Sequence, residues 1–287
     1  MARTSDIQGS QPPPGPDPTG SVSGVPWWLE PPRMLGAGIL DMGRAGLYLW
    51  SVFMRTLYYT FRGKREKGDV WKYGLEIGNR SLFFMTVTMG FVGMLFVHQA
   101  AFQLNEITGD LQLVGAAYIE FTIRELAASV GAVVLATRVG SGIAAEIGSM
   151  VVTDQVDAMR MNGTDPVEYL VSPRFIACAI TGTAILIYTA LVMVLFGMLA
   201  AYLYFDVNPR IFLNFTYVDW HEVLIGLTKS VTYCAAIPVV SGYCGLSTFG
   251  GSEGVGWATT RAVVNSAIAI ILLDAIISTS AYFIFYA

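Results

Sequence analysis

Charged residues are scarce in this sequence. They make up 13% of the 287 residues, about half the share of an average soluble domain, and the mean hydropathy is +0.55. Lysine and arginine are scattered along the chain, without the basic stripe that binds nucleic acid. The composition therefore excludes an ordinary soluble domain, predicts no nucleic-acid partner and indicates a membrane protein.

Cysteine and histidine are also scarce, and no pattern of metal ligands is present. Cys178, Cys234 and Cys244 all lie in apolar segments and lack metal-ligand spacing. His98 has no second histidine, cysteine or carboxylate at helical spacing that would complete a metal site. We therefore expect buried cysteines and no bound metal.

Long apolar runs are what the sequence has in abundance. Five stretches approach the roughly 20 residues that a helix needs to cross a hydrocarbon core of about 30 Å. Their predicted bounds are residues 81–102, 115–139, 175–204, 223–246 and 262–285. Because these runs have the length of helices, the fold class is an all-α membrane protein rather than a barrel.

The chain before the first crossing divides into two segments. Residues 1–33 are rich in Pro, Gly and Ser and have no apolar core of a signal peptide, which predicts a disordered tail. Residues 34–80 mix aromatic and basic side chains, which predicts an amphipathic helix in the membrane interface and then a basic linker. A poor transmembrane helix is the alternative for this segment. Residues 81–287 form the transmembrane domain.

Basic residues collect beside alternate loops. They flank the segment before the first crossing, the loop between the second and third crossings, and the loop before the fifth. The other two loops are acidic. The positive-inside rule then predicts a cytoplasmic N-terminus and a C-terminus outside.

A polar insert, residues 144–163, separates the second and third crossings. Helical spacing over residues 145–161 predicts one amphipathic helix. Its polar side carries Glu146, Ser149, Thr153, Asp154, Asp157 and Arg160, and its apolar side carries Ile147, Val151, Val152, Val156, Ala158 and Met159. Asn162-Gly163 predicts its end, and Asp165-Pro166 predicts the start of the next helix.

Two interpretations of this insert remain open: a loop helix resting on the membrane surface, or a docking surface for a cytoplasmic protein. Membrane-surface helices are usually basic on their polar side, whereas this one is acidic. Met150 and Met161 interrupt the polar side, as adaptable residues often do at protein contacts. Both features favour docking.

Four charged residues fall inside the predicted crossings: Arg124, Glu125, Lys229 and Asp274. An unpaired charge in a bilayer costs about 2.5–3.5 kcal/mol on insertion scales, so these side chains are expected to face the protein interior and pair. We predict a Glu125–Lys229 pair, with Arg124 and Asp274 completing a network. A purely structural role and a role in headgroup handling or gating are equally open.

The run "IRELAASVGAVVLATRVGSGIAAEIGSMVVTDQVDAMRMNGTDPVEYLVSPR" resembles the diagnostic segment of the MlaE/YrbE permease family. "GRAGLYLW", "GFVGMLF", "LTKSV" and "ATTRAVVNSAIAIILLDAI" agree with it in the same order. The resemblance extends from about Asp41 to the C-terminus. The proline-rich tail departs from the shorter N-termini of the family.

The resemblance implies a permease subunit of an ABC transporter in the inner membrane. Two permease copies, a homodimer, would pair above a cytoplasmic dimer of ATPases and below a hexamer of mammalian-cell-entry (MCE) proteins. The insert would correspond to the coupling helix, contacting the ATPase through Glu146, Met150, Asp154, Asp157 and Arg160. No G-x-x-x-x-G-K-S/T phosphate loop occurs in the chain, so ATP and magnesium would be used by the partner and this subunit would not be an enzyme.

The implied substrate is lipid, and phospholipid is the expected class. Sterols, fatty acids and mycolate-type lipids remain alternatives. The predicted lining of the lipid pocket, a greasy wall of apolar side chains without charge, consists of Phe91, Met94, Leu95 and Val97 in the first crossing. A proton-coupled secondary transporter, with Glu125 and Asp274 as proton sites, is the alternative from another class, and a membrane scaffold is a third.

Overall fold

The computed structural model describes residues 46, 49–60, 68–107 and 113–285. The chain divides into two units, Met1–Tyr48 and Leu49–Ala287, and only Gly46 of the first unit is described. The predicted tail, residues 1–33, and much of the predicted interfacial segment therefore lie outside the described residues. Helices and short turns account for the described part, which contains no β-strand.

Eight helices organise the second unit over the described residues. Helix α1 is described over residues 49–60, and the others are α2 (Asp69–Ile107), α3 (Val114–Val152), α4 (Gln155–Met161), α5 (Val167–Phe205), α6 (Pro209–Phe212), α7 (Trp220–Leu246) and α8 (Gly251–Phe285). Helices α2, α3, α5, α7 and α8 are long and apolar enough to cross a membrane. The predicted all-α class with five spanning helices is confirmed.

The spanning helices extend beyond the apolar runs that predicted them. Helix α2 begins at Asp69 rather than at residue 81, so the stretch with Lys72 and Arg80, predicted as a linker, is helical. Apolar runs mark the part of a helix that meets hydrocarbon, whereas backbone hydrogen bonds continue the helix beyond it.

Helix α3 lies among the other spanning helices and packs against α5, α7 and α8, while α2 packs along α5. The core between them is built from fully buried apolar side chains such as Met85, Met89, Leu135, Leu186 and Tyr233. The three cysteines are buried and free, as the sequence predicted.

Helices α3 and α5 each contain two π-helical turns. They span Thr122–Leu126 and Ala136–Gly140 in α3, and Val167–Val171 and Cys178–Gly182 in α5. A π turn changes the direction in which the following side chains point, and such turns are frequent at functional sites. The turn at Thr122–Leu126 contains two of the four predicted intramembrane charges, Arg124 and Glu125.

The insert is not the single helix that its periodicity predicts, and that prediction is wrong. Helix α3 continues to Val152, Asp154 takes a left-handed backbone conformation with φ 58°, and α4 begins at Gln155. Because the break rotates α4 relative to α3, the predicted apolar side is split: Ile147 and Val156 are buried, while Val152 and Ala158 are exposed.

The predicted end of the insert is confirmed, whereas its predicted start at residue 144 lies within α3, which continues to Val152. Helix α4 ends at Met161, and Gly163 adopts a positive φ of 75°, which a glycine reaches without strain. The Asp165 carboxylate accepts a hydrogen bond from the Val167 backbone N–H at 2.9 Å, so it caps the start of α5.

Candidate functional site

A buried cluster of charges joins three spanning helices. Lys229 of α7 has no exposed surface. Its Nζ lies 2.5 Å from Oε2 of Glu125 on α3 and 3.0 Å from Oδ1 of Asp274 on α8. The predicted partners Glu125 and Lys229 are therefore adjacent, and Asp274 is the second carboxylate on the same ammonium group.

The three residues meet because of where they stand on their helices. Glu125 follows the start of α3, Lys229 follows the start of α7 and Asp274 precedes the end of α8, each by about ten residues, or roughly 15 Å. Those three helix ends lie on the same side of the bundle, since α8 runs antiparallel to α7. A charge that deep in a spanning helix needs a partner inside the protein.

Three hydroxyl groups complete the cluster. Ser129 and Tyr233 donate hydrogen bonds to Asp274 Oδ1 at 2.9 and 2.6 Å, and Lys229 donates to the Ser278 hydroxyl at 2.7 Å. The sequence analysis missed these residues. Each stands four positions after a charged member on its own helix, and residues at that spacing share a helix face. A search for polar residues four positions after each intramembrane charge would therefore have identified all three from the sequence.

Arg124 lies at the edge of the cluster. Its Nε is 3.8 Å from Oε1 of Glu125 and 3.6 Å from Oε2 of Glu222. Glu222 is buried near the start of α7, one position before the apolar run 223–246 that predicted this helix. It precedes Lys229 by two helical turns and therefore lies on the same face. Two cationic and three acidic side chains thus form one connected network.

The network opens to the surface on one side. Glu120, Phe121, Arg124 and Glu125 line an open cavity of about 480 Å³. Lys229 is sealed inside, whereas about a fifth of the Glu125 side chain (22%) and a third of the Arg124 side chain (33%) are exposed. The network can therefore both hold α3, α7 and α8 together and present polar groups to a molecule in the cavity.

A second ion pair, with a buried arginine and a half-exposed glutamate, lies at the other end of the spanning helices. Arg174, at the start of α5, is buried and donates a hydrogen bond to the Leu170 carbonyl at 2.5 Å. Its Nη2 is 2.7 Å from Oε1 of Glu146, and its guanidinium lies 4.4 Å from the centroid of the Tyr73 ring. The pair connects α3, α5 and α2. Arg174 directly precedes the predicted third crossing, 175–204, and nothing in the sequence pattern indicates that it is buried or paired.

The predicted ATPase-contact residues do not form one surface. Glu146 points to Arg174, and Met150 is half-buried against the core, so Met150 does not belong to an exposed polar side as predicted. Asp154 is exposed at the break. Asp157 and Arg160 are exposed on α4 and pair at 3.0 Å. The accessible polar side chains of the insert therefore lie at the break and on α4, and Glu146 at the end of α3 is partly accessible as well.

Helix α1 contacts the segment that follows the insert. The Tyr59 hydroxyl donates to Asp165 Oδ2 at 3.1 Å, and Arg55 Nη1 lies 4.0 Å from the same oxygen. The hydrogen bond to this carboxylate raises the pKa of Tyr59 above its usual value. Trp50, Met54 and Tyr58 are exposed at four-residue spacing, a pattern typical of interfacial helices. Placement of α1 in the membrane interface stays a prediction.

The predicted greasy wall is divided between two faces of α2. Phe91 and Leu95 are largely exposed and Met94 is half-buried, but Val97 is fully buried. Its Cγ2 lies 2.7 Å from the position that a Cβ on Gly197 would take, so Val97 packs between α2 and α5. The prediction that Val97 shares the lipid-facing wall is wrong, because it points to nearly the opposite side of the helix from the exposed Leu95.

The described residues contain no group of three His, Cys, Asp or Glu side chains placed to hold a metal ion.

Comparison with known proteins gives a consistent result. Residues 70–280 match the model of a family described as Permease MlaE. A "Probable ABC transporter permease protein" of Synechocystis is 38% identical over 70% of this chain and 77% of its own length. Another of the same description from Rickettsia prowazekii is 35% identical over 71% of this chain and 79% of its own. The Arabidopsis thaliana protein "TRIGALACTOSYLDIACYLGLYCEROL 1, chloroplastic" is 33% identical over 74% of this chain and 63% of its own.

Proposed function

The chain belongs to the MlaE permease family, and from this premise we propose that it is the membrane subunit of an ATP-driven transporter that moves phospholipid. The observation that carries the proposal is the family match over residues 70–280, which includes nearly all of the five spanning helices. Relatives described as ABC transporter permeases support the transporter class. The lipid class is supported by the plant relative, whose name refers to a diacylglycerol lipid.

In this proposal the transporter has three kinds of protein subunit. Two copies of this chain pair as a homodimer in the inner membrane, and a cytoplasmic ATPase dimer binds ATP and magnesium, for which this chain has no phosphate loop. A hexamer of MCE proteins receives or delivers lipid on the outer side. The N-terminus lies in the cytoplasm and the C-terminus outside, as the distribution of Lys and Arg indicates.

The insert is the proposed coupling element. Asp154, Asp157 and Arg160 are accessible to a cytoplasmic partner, while Glu146 connects the end of α3 to the buried Arg174. A force applied to α4 by the ATPase passes into α3 and, through this ion pair, into α5. Coupling therefore needs the exposed residues for contact and the buried pair for transmission.

The charge network around Lys229 has the proposed role of binding the lipid headgroup or of controlling the opening of the contacts between helices. It joins the three helices α3, α7 and α8, and its Arg124–Glu125 edge lines an open cavity. A lipid headgroup in that cavity competes for the same ion pairs, which provides a route by which substrate loosens the helix contacts.

The test is ATP-dependent transfer of labelled phospholipid by the purified complex in vesicles, with Asp157→Arg as the coupling variant. We expect this variant to lose the co-purifying ATPase and lipid transfer together. Glu106→Arg is the matched control. It reverses an exposed carboxylate near the end of α2, on the side of the bundle opposite to the insert, and we expect this variant to keep the ATPase. Full ATPase binding and transfer by Asp157→Arg contradict the coupling role.

The same vesicles decide between an ABC transporter and a secondary transporter. Lipid transfer that needs ATP and ignores a proton gradient supports the proposal. Transfer driven by the gradient without ATP, and abolished by Glu125→Gln, supports a secondary transporter with the carboxylates as proton sites.

A further inference from the structure

A second cavity is lined by arginine residues at the opposite end of the bundle from Lys229. Its volume is about 330 Å³, and it lies where the first turns of α2, the last part of α3 and the start of α5 meet. Its charged lining residues are Arg80, Arg138, Arg174, Glu76 and Glu146. None of them belongs to the network around Lys229.

The charges of this cavity do not balance. Arg80 pairs with Glu76 at 2.6 Å, and Arg174 pairs with Glu146 at 2.7 Å. Arg138 is the third cation, and no carboxylate in the described part of the chain lies within 4.0 Å of its guanidinium. The cavity therefore carries one positive charge more than its carboxylates neutralise, and Arg138 supplies it.

One wall of the cavity is rigid. Arg174 is fixed by the Leu170 carbonyl, the Glu146 carboxylate and the face of the Tyr73 ring. Arg80 and Arg138 are exposed, on α2 and α3 respectively. Two exposed arginine residues therefore line the same cavity as the fixed Arg174 guanidinium, and such a set of donors suits a phosphate group.

An apolar groove adjoins the cavity. It runs between α2 and α5, has a volume of about 1210 Å³ and shares Glu76 and Arg80 with the cavity. Trp71, Leu75, Leu82 and Ile180 are exposed along it. Exposed tryptophan is typical of the level where headgroups meet hydrocarbon. A molecule that binds in both the arginine cavity and the apolar groove needs an anionic group and a long apolar part.

We propose that the arginine cavity binds the phosphate-bearing headgroup of an anionic lipid, with its acyl chains in the groove between α2 and α5. Basic pockets between transmembrane helices on the cytoplasmic side are known sites for anionic headgroups. The bound lipid contacts α2, α3 and α5 at the level where the Arg174–Glu146 pair joins them. It is a resident lipid at the bundle's edge, separate from the cavity beside Arg124 and Glu125.

The test measures lipid retention by the full complex. The protein is placed in nanodiscs of phosphatidylcholine with added phosphatidylglycerol, and native mass spectrometry counts the phosphatidylglycerol molecules that remain bound after extraction. The variants are Arg138→Gln and Arg80→Gln. Arg210→Gln is the matched control, because it removes an exposed arginine at the other end of the molecule.

We expect each cavity variant to bind phosphatidylglycerol about fivefold more weakly than the wild type, since one arginine near a membrane surface contributes about that factor. Arg210→Gln and the binding of phosphatidylcholine stay unchanged. Arg138→Gln keeps the thermal stability of the wild type because Arg138 is exposed and lacks a carboxylate partner among the described residues, so it tests the site even where Arg80→Gln fails to fold. Unchanged retention in Arg138→Gln overturns the proposal.

Two further measurements distinguish a bound lipid from a soluble anion and from a protein partner. Inorganic phosphate and glycerol phosphate are added to the wild type, and equal affinity for these soluble anions overturns a lipid site in favour of a free-phosphate site. Loss of the ATPase from Arg138→Gln with lipid retained overturns it in favour of a protein contact. Because retention needs no transport, a wild type that binds phosphatidylglycerol here but moves no lipid would contradict the proposed function and leave this site intact.

Discussion

Lys229 is a buried cation shared by two carboxylates, and this geometry determines what its loss does. Glu125 and Asp274 approach the same Nζ at 2.5 and 3.0 Å. Reversing the charges of Glu125 and Lys229 together, the obvious test of a simple pair, places a glutamate beside Asp274. A complete exchange of the two residues therefore does not restore the native charge pattern.

We predict that Lys229→Met destabilises the protein by about 3–5 kcal/mol, because two partly buried carboxylates lose their common, fully buried partner. The triple variant Glu125→Gln, Lys229→Met, Asp274→Asn recovers most of this loss, since neutralising a whole buried ion network is often tolerated. Unfolding in detergent measures both. A triple variant that is no more stable than Lys229→Met contradicts this account, and one that folds but moves no lipid assigns the network a functional role.

Charge reversal at Glu146 is expected to change the stability of the protein, whereas charge reversal at Asp157 is not. We predict that Glu146→Arg lowers the free energy of unfolding by about 1–3 kcal/mol, because it leaves the buried Arg174 without its carboxylate. The cost stays below that of a fully buried pair, since 47% of the Glu146 side chain is exposed. Asp157→Arg leaves stability within about 0.5 kcal/mol, as expected for an exposed position.

Thermal unfolding of both variants, extracted without the ATPase, checks this difference. Equal melting temperatures for Glu146→Arg and the wild type show that the pair contributes little. Loss of the ATPase from Glu146→Arg is consequently ambiguous, whereas the same loss from Asp157→Arg reports docking.

At the scale of helices, the charge network depends on how closely α3 and α7 cross. Gly226 of α7 faces the Ile123 backbone carbonyl of α3, and a Cβ at Gly226 would overlap that oxygen. Small residues permit such close helix contacts in membranes. The contact lies directly beside Arg124 and Glu125, so helix separation here also sets the distance from Glu125 to Lys229.

We predict that Gly226→Ala destabilises the protein by about 1–3 kcal/mol, the usual cost of overpacking, and weakens the Glu125–Lys229 contact. Gly142→Ala is the matched control. A Cβ there meets nothing within 4 Å, and alanine in a helix is favoured over glycine by about 0.5–1 kcal/mol. Detergent unfolding of the two variants measures the difference. Equal stabilities would contradict the close crossing.

The break between α3 and α4 is the second feature at this scale. The periodicity of residues 145–161 predicts one helix because its apolar and polar residues fall on two sides, and a one-residue change of backbone direction leaves much of that pattern intact. Asp154 carries the change at φ 58°, a conformation that aspartate tolerates better than most residues. Nothing in the pattern locates the break there.

At the scale of the whole molecule, α8 is the least covered spanning helix. Only 11% of its apolar window is buried, whereas the other four windows are 33% to 56% buried. Its buried residues, Ala258, Ala262, Ser266, Ile270 and Ala281, form one narrow side. The exposed middle part of α8, with Val264, Ile268, Ile271, Leu272 and Ile276, is apolar and meets either lipid or, in the proposed homodimer, a second copy.

We predict that Ile271→Cys forms a cross-link between two copies in membranes, because Ile271 lies on this uncovered apolar surface. Phe83→Cys, on the exposed side of α2, is the control and stays uncross-linked. The native cysteines are buried and do not interfere. Gel electrophoresis after oxidation reads out the dimer, and cross-linking at Phe83 instead of Ile271 would place the contact on α2.

The sequence by itself determined the class, the five spanning helices and the family. Those features follow from local runs of apolar residues and from several motifs in fixed order, which require no knowledge of neighbours. It also indicated that the charges in the crossings need partners, because the energetic cost of a charge in hydrocarbon does not depend on fold.

The Glu125–Lys229 pair was predicted from the sequence, but only the tertiary structure identified the other contacts of these charges. Asp274 joins Lys229 from a helix more than forty residues away in the chain, Glu222 meets Arg124, and Val97 turns into the core rather than toward lipid. The pairing of Glu146 with Arg174 and the arginine cavity beside it depend on helix rotation, on π turns and on the break at Asp154. Periodicity averages over a helix, so it does not register a change of direction at one residue, and contacts between distant helices depend on that direction.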